Sequence, residues 1–337
     1  MPIGLSPALS DALSPSVGRA TVQIWLDPRL TRKLLPVAEL PSGTMSTLGS
    51  TRLKSPTAST MRTTVHILRK LRRAKDVVEF WSFFTWYFEL GGFFSTVAIS
   101  PVIGAKRGIV SRLTWIFNHT RAKVITIGED PAVIKAFDGI VLSTHKTFLD
   151  FTTTFLFGEG AYIGRRLAAA IMPMGSIGRK WSGMFIIFRR GNFKKEGSNL
   201  TSSIVKMLQG GPRGNTRVLV FPEGHRLPRR GLLRLRTGMI RICFDHKIPV
   251  YLAPSEGGEY ILNEAAMMVQ KDMPYVVNYA GTVDPADYQT WEDFYEEVSS
   301  RFSAAYDAAC RKYDEAEADL GRPNRIRQYL EDKSSGL

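Results

Sequence analysis

The chain has 337 residues, 44% of them hydrophobic, and a formal net charge of +14. This length allows one large domain or two small ones with a sizeable core. Two cysteines, Cys243 and Cys310, give neither a disulfide framework nor zinc-ligand spacing. The five histidines (66, 119, 145, 225, 246) show no i, i+4 pairing, so no metal is expected. Between Ala161 and Lys247 stand 18 Lys/Arg against three acids (Glu196, Glu223, Asp245), so this segment carries the whole basic excess. Either it meets an anionic partner (a phosphate-bearing substrate, an anionic membrane or a nucleic acid) or it is a solvated basic face.

Residues 1–61 are rich in Ser, Thr, Pro and Gly and read as a flexible arm. Asp11, Asp27, Glu39 and the interspersed prolines make a poor targeting peptide, although that reading stays open. A second segment, 62–104, combines a basic stretch, Arg62 to Lys75, with an apolar, aromatic stretch, Val77 to Ile103. The apolar stretch exceeds the ~20 residues that span a bilayer. Glu79, Glu89 and the break at Gly91-Gly92 argue against a plain span, and each half, Val77–Leu90 and Phe93–Ile103, is too short to cross alone. Both flanks are basic, which favours a membrane-embedded helical hairpin with both ends on the cytosolic side. A true span and a buried core helix are the alternatives.

From about residue 105 the pattern is α/β. Apolar runs at Val124–Ile127, Ile140–Leu142, Phe185–Phe188, Val218–Phe221, Val250–Leu252 and Tyr275–Tyr279 alternate with amphipathic stretches such as Ser198–Leu208 and Thr237–Phe244. The expected architecture is a mostly parallel sheet flanked by helices, over 105–300. The segment 301–337 continues a charged amphipathic helix, Trp291 to Leu320, and ends in a mixed-charge tail from Gly321.

Four strand ends carry unusual residues, and ligands of α/β sheets bind at strand ends. The first is His145-Lys146-Thr147-Phe148-Leu149-Asp150, an imidazole and a carboxylate five apart, which supplies a general base and a group to orient it. The second is Gly183 to Arg189-Arg190. The third is Phe221-Pro222-Glu223-Gly224-His225-Arg226, followed by Arg229, Arg230, Arg234 and Arg236, and the fourth is Ile248-Pro249-Val250. Arg189 and Arg226 suit a phosphate clamp, because guanidinium binds phosphate oxygens bidentately. Glu223 can accept from a substrate hydroxyl or hold an arginine, and Gly224 permits close backbone approach.

These four blocks, in this order and spacing, resemble the glycerolipid acyltransferase family. The resemblance covers residues 105–300 and rests on His145 and Asp150, on Gly183 and Arg189, on Phe221, Pro222, Glu223, Gly224 and Arg226, and on Ile248, Pro249 and Val250. Phe188, His225 and Leu252 depart from the family's usual residues, all in acceptor-binding blocks. The resemblance implies the glycerolipid acyltransferase fold and acyl transfer from acyl-coenzyme A, with no cofactor, to a lysophospholipid acceptor. Its first candidate is 1-acylglycerol-3-phosphate, giving phosphatidic acid in phospholipid biosynthesis. His145 and Asp150 would be catalytic, and Gly183, Arg189, Glu223, Gly224, Arg226 and Pro249 would bind substrate. It further implies an anionic membrane surface as partner, at the endoplasmic reticulum or a bacterial inner membrane, and no nucleic acid. Glycerol-3-phosphate, another lysophospholipid, or a non-enzymatic lipid- or nucleic-acid-binding role are the alternatives.

Overall fold

The computed structural model describes residues 58–86, 114–157, 161–165, 185–188, 201–202, 204–206, 208 and 217–335. In chain order these include α1 (Ala58–Phe83), β1 (Lys123–Gly128), α2 (Pro131–Ala136), β2 (Gly139–Leu142), a 3-10 segment (Phe148–Leu156), β3 (Ala161–Arg165), β4 (Phe185–Phe188) and β5 (Arg217–Val220). Then come α3 (Thr237–Asp245), β6 (Val250–Leu252), β7 (Ser255–Glu256), α4 (Gly258–Ile261), β8 (Leu262–Asn263), β9 (Met268–Val269), β10 (Pro274–Tyr279), β11 (Gly281–Val283), α5 (Trp291–Ala318) and α6 (Arg325–Ser334). The expected arm lies outside the described residues up to position 57.

Each apolar run read from the sequence forms a strand. Among the described residues a six-stranded sheet has the order β11-β6-β2-β5-β3-β4, a three-stranded sheet the order β1-β10-β7, and β8 pairs with β9. Strands β6, β2, β5, β3 and β4 are parallel. Strand β11 is antiparallel to β6, and β7 to β10, so both sheets are mixed, while the six-stranded sheet is parallel at four of its five pairings, as the expected mostly parallel sheet requires. The division into two sheets follows from Pro254. Ala253 N–H still donates to Leu142 O of β2 (2.8 Å), whereas Pro254, without an N–H, leaves that ladder and its carbonyl accepts from Asn278 N of β10 (3.0 Å).

All four residues of β2 are buried, as a central parallel strand requires. It pairs with β5 from Gly139↔Arg217 to Leu142↔Val220. The loops leaving the two strands therefore start side by side, and Ser143 N–H donates to Val220 O (3.1 Å). Strand β3 has no sequence signal of its own. Ala-Tyr-Ile-Gly-Arg holds one β-branched residue and a glycine, and it becomes a strand by pairing between β5 and β4.

Helix α5 lays Phe294, Val298, Phe302, Tyr306 and Tyr313 into the core at helical spacing. Thr290 Oγ1 caps it by accepting from Asp293 N, and Glu292 and Asp293 in its first turn suit the helix dipole. The stretch from Gly321, read as a tail, instead forms α6. Asn324 caps it by accepting from Arg327 N (3.0 Å), Ile326 is buried, and Arg327 pairs with Asp314 (3.1 Å) and Glu317 (3.0 Å).

The hairpin expectation is corrected where it can be read. Helix α1 runs unbroken through the basic stretch into the first apolar half. Phe80, Phe83 and Phe84 pack into the same core as Ile116, Phe117 and Leu149, and Phe84 meets Phe148 edge-on at 5.6 Å. Asp76 is buried and pairs with Arg325 of α6 at 3.0 Å, and the Arg73 guanidinium sits 4.7 Å over the Tyr329 ring. That face of α1 therefore contacts protein and not lipid. Among the described residues no helix is long and apolar enough to cross a membrane. The second half, Phe93–Ile103, lies outside the described residues. Phe83→Ala should lower unfolding free energy by about 3–5 kcal/mol. Val78→Ser, on the exposed side of the same helix, should stay within about 0.5 kcal/mol. Chemical denaturation of both variants checks the assignment of faces.

Candidate active site

The loop after β2 makes the first half of the site. His145 stands in it, and Asp150 occupies the first turn of the 3-10 segment, which folds the carboxylate back onto the imidazole. His145 Nδ1 and Asp150 Oδ2 are 2.9 Å apart. The same oxygen accepts from the backbone N–H groups of Lys146 (2.6 Å) and Thr147 (3.0 Å). Asp150 is 2% exposed, and its Oδ1 is buried without a hydrogen-bond partner. Gly258 leaves room for it, since a Cβ there would stand 3.3 Å from Oδ1. The His145 ring lies parallel to Phe221, centroids 4.2 Å apart, and meets Phe151 edge-on at 5.6 Å. With Nδ1 committed to Asp150 and the ring held by two aromatics, Nε2 is the nitrogen left for a reacting proton.

The second half is the loop after β5, which crosses to the first through Leu227 N–H, donating to His145 O (2.9 Å). Glu223 is 1% exposed, and among the described residues it pairs with no arginine. Its Oε1 accepts from His145 N (3.0 Å) and its Oε2 from Leu233 N (2.9 Å). Burial pushes its carboxyl up, against the pull of those two N–H groups and of Lys146 and His145. The residue read as a substrate ligand thus ties the two loops together through their backbones, a role that no local signal around Glu223 announces. Gly224 takes a φ of +69°, the left-handed turn that starts the basic loop. Arg226 pairs with Glu264 (Nη1–Oε1 2.5 Å), and its guanidinium lies 3.8 Å over the Phe148 ring. Arg229, Arg234 and Arg236 are exposed on the same loop.

Below the two loops lies a buried polar cluster that the sequence does not reveal. Lys146 is 1% exposed. Its Nζ donates to Gly231 O and to Tyr306 Oη (3.0 Å) and lies 4.0 Å from Glu259. Tyr306 in turn donates to Glu256 Oε2 (2.7 Å) and accepts from Gly231 N (2.9 Å). Burial drives the Glu259 carboxyl well up, Glu256 adds to the rise, and Lys146 opposes it. Arg230 is held by Asp314 (2.8 and 3.0 Å) and faces Glu256 at 3.7 Å. The floor of the site is therefore pinned to α5 by charge and hydroxyl contacts.

The structure thus brings together His145, Asp150, Glu223, Gly224 and Arg226. Gly183 and Arg189 lie outside the described residues. Pro249 is not brought to the cluster. It enters β6 at the opposite end of the sheet, its carbonyl accepting from Ile140 N (3.1 Å) at the start of β2. Among the described residues no group of three or more His, Cys, Asp or Glu side chains is placed to hold a metal ion.

Residues 127–253 match the family model described as Acyltransferase. The chain carries an acyltransferase-family domain. All four motif blocks fall inside that domain, which bears out the resemblance to glycerolipid acyltransferases. A solved structure with a similar fold is that of the 1-acyl-sn-glycerophosphate (LPA) acyltransferase, PlsC, from Thermotoga maritima. It is 17% identical with a TM-score of 0.53, over 71% of this chain and 97% of that chain. No curated protein matches the chain.

In the acyltransferase domain, replacing Glu223 by Gln puts an NH2 group against one of the two backbone N–H donors. Leaving such a buried donor unpaired costs about 1–3 kcal/mol. Glu223→Gln should accordingly lower the unfolding free energy, measured by chemical denaturation, by that amount, whereas a variant as stable as the wild type would dismiss the two-loop tie.

Proposed function

We propose that this acyltransferase moves an acyl chain from acyl-coenzyme A to the free hydroxyl of 1-acylglycerol-3-phosphate, giving phosphatidic acid. The observation that carries this reading is the His145–Asp150 pair, 2.9 Å apart, beside an arginine-lined loop. His145 Nε2 takes the acceptor's hydroxyl proton as its oxygen attacks the thioester carbonyl. The new C–O bond forms, the C–S bond breaks, and the proton on the imidazolium passes to the departing thiolate. Asp150 holds the tautomer and stabilises the imidazolium, as the carboxylate does in serine hydrolases, while the substrate's own hydroxyl replaces a protein nucleophile.

Arg226 serves the acceptor phosphate, and the exposed Arg229, Arg234 and Arg236 serve the phosphates of the donor or of lipid headgroups. The phosphoacceptor is favoured by the solved acyltransferase of similar fold, which is named for 1-acyl-sn-glycerophosphate. A membrane surface fits the outer face of α1, where Ile67, Leu68, Leu71, Val78 and Trp81 are all more than half exposed beside Arg69 and Arg72. The catalytic domain then works on the cytosolic side, where acyl-coenzyme A is found.

The deciding experiment is acyl transfer by detergent-purified protein with labelled acyl-coenzyme A and a panel of acceptors. Wild type should acylate 1-acylglycerol-3-phosphate. His145→Ala should lose at least ~10²-fold in kcat, the contribution of a positioned general base. Arg226→Ala should raise the acceptor KM by about 10–100-fold, equivalent to about 1.5–3 kcal/mol for a hydrogen bond to a charged group. Retained turnover in His145→Ala would remove the base. Turnover with a different acceptor alone would move the substrate and leave the mechanism.

A further inference from the structure

We propose that Glu264 is a specificity-determining residue: it is the resident counter-ion of Arg226, and an acceptor gains that guanidinium only if its headgroup displaces the carboxylate. The inference rests on the reading of Arg226 as the acceptor's phosphate ligand. Its geometric basis is separate from the base and its orienting carboxylate.

Arg226 is confined on two sides. Its guanidinium lies 3.8 Å over the Phe148 ring, and Nη1 stands 2.5 Å from Glu264 Oε1. The residue that follows, Leu227, is tied by its N–H to His145 O, so the arginine stays beside the reacting centre. With a third of its side chain exposed, Arg226 still opens to solvent, where a phosphate would arrive. Glu264 follows β8, and its side chain is 19% exposed. Its second oxygen, Oε2, is buried with no hydrogen-bond partner. Arg226 is therefore its sole ion-pair partner among the described residues.

Displacement has an electrostatic cost, since removing one partner leaves the other charge partly buried and uncompensated. A carboxyl escapes this by taking a proton, and Glu264 is poised to do so. Burial pushes it up to about 7, against the pull of Arg226 and of the backbone N–H groups of Glu264 and Phe148, with Asp150 adding to the rise. Among the described residues Arg226 and Asp150 are the charged groups that act on it most strongly. Below pH 7 the proton is at hand and the guanidinium is released readily. Above pH 7 the carboxylate competes. A phosphate monoester, carrying nearly two charges and three acceptor oxygens, wins that competition more easily than a zwitterionic phosphodiester headgroup. The residue thus sets a threshold for headgroup charge.

The test uses the full-length protein in detergent, comparing wild type with Glu264→Gln and Glu264→Asp. The acceptors are 1-acylglycerol-3-phosphate and lysophosphatidylcholine. Equilibrium binding of sn-glycerol 3-phosphate is measured in parallel and needs no turnover. In Glu264→Gln the KM for both acceptors should fall. The fall should be larger, about tenfold, for lysophosphatidylcholine, so that discrimination shrinks. Glu264→Asp should lie between the two. Between pH 6 and pH 8 wild-type affinity for sn-glycerol 3-phosphate should fall more than that of Glu264→Gln, the ligand's own ionisation being common to both. In an Arg226→Gln background Glu264→Gln should change nothing, as a double-mutant cycle requires.

Unchanged discrimination and an unchanged pH response in a folded Glu264→Gln would overturn the inference while leaving acyl transfer intact. Tighter sn-glycerol 3-phosphate binding by Glu264→Gln, abolished by Arg226→Gln, in a protein that acylates no acceptor would uphold the counter-ion and reject the proposed reaction.

Discussion

Two loops must meet for this site to exist, and a buried carboxylate joins them. Glu223 accepts one N–H from His145, on the loop after β2, and one from Leu233, on the loop after β5. The parallel pairing of β2 and β5 brings the loops to the same edge of the sheet, but a shared edge leaves their relative height free. The two backbone bonds, with Leu227 N–H on His145 O, remove that freedom. The imidazole then lies flat against Phe221, a residue of the other loop, at 4.2 Å. Orientation of the base is thus a property of the junction and not of either loop alone.

The basic excess looks different once its members are placed. Arg217 is buried and spends its guanidinium on the carbonyls of Lys135, Phe137 and Phe157. Arg230 is bound by Asp314, Arg241 by Asp245, and Arg226 by Glu264. Among the described residues Arg229, Arg234 and Arg236 remain exposed without a carboxylate partner. Among the described residues of the segment, Arg217, Arg230 and Arg241 therefore serve the fold and add little to the surface field that an anion meets.

The strand pattern and the His145–Asp150 spacing were legible because both are local. Apolar runs mark strands, and one helical turn closes a five-residue interval. Pairings across the chain carry no such mark. Glu264 stands 38 positions from Arg226 and Tyr306 160 positions from Lys146. Neither partner has a neighbour that betrays it. The described part of the apolar aromatic stretch was misread for a related reason. Composition reports how greasy Val77–Leu90 is, but not that Phe80, Phe83 and Phe84 have a protein core to enter. Helix α6 was the opposite case, since Asn324 ahead of Arg325-Ile326-Arg327 is a helix-start signal hidden by the charge around it.

The bond between α1 and α6 has a consequence for biosynthesis. Asp76 of α1 and Arg325 of α6 are separated by 249 positions, and Tyr329 covers Arg73 from the same C-terminal helix. A chain emerging from the ribosome presents α1 early, with Asp76 lacking its cation and Phe80, Phe83 and Phe84 lacking their core. The helix can dock fully only after α6 has been synthesised. Until then Asp76 lacks its cation, while Phe83 and Phe84 can already meet His119 and Phe148, so the polar lock on α1 closes after its aromatic contacts.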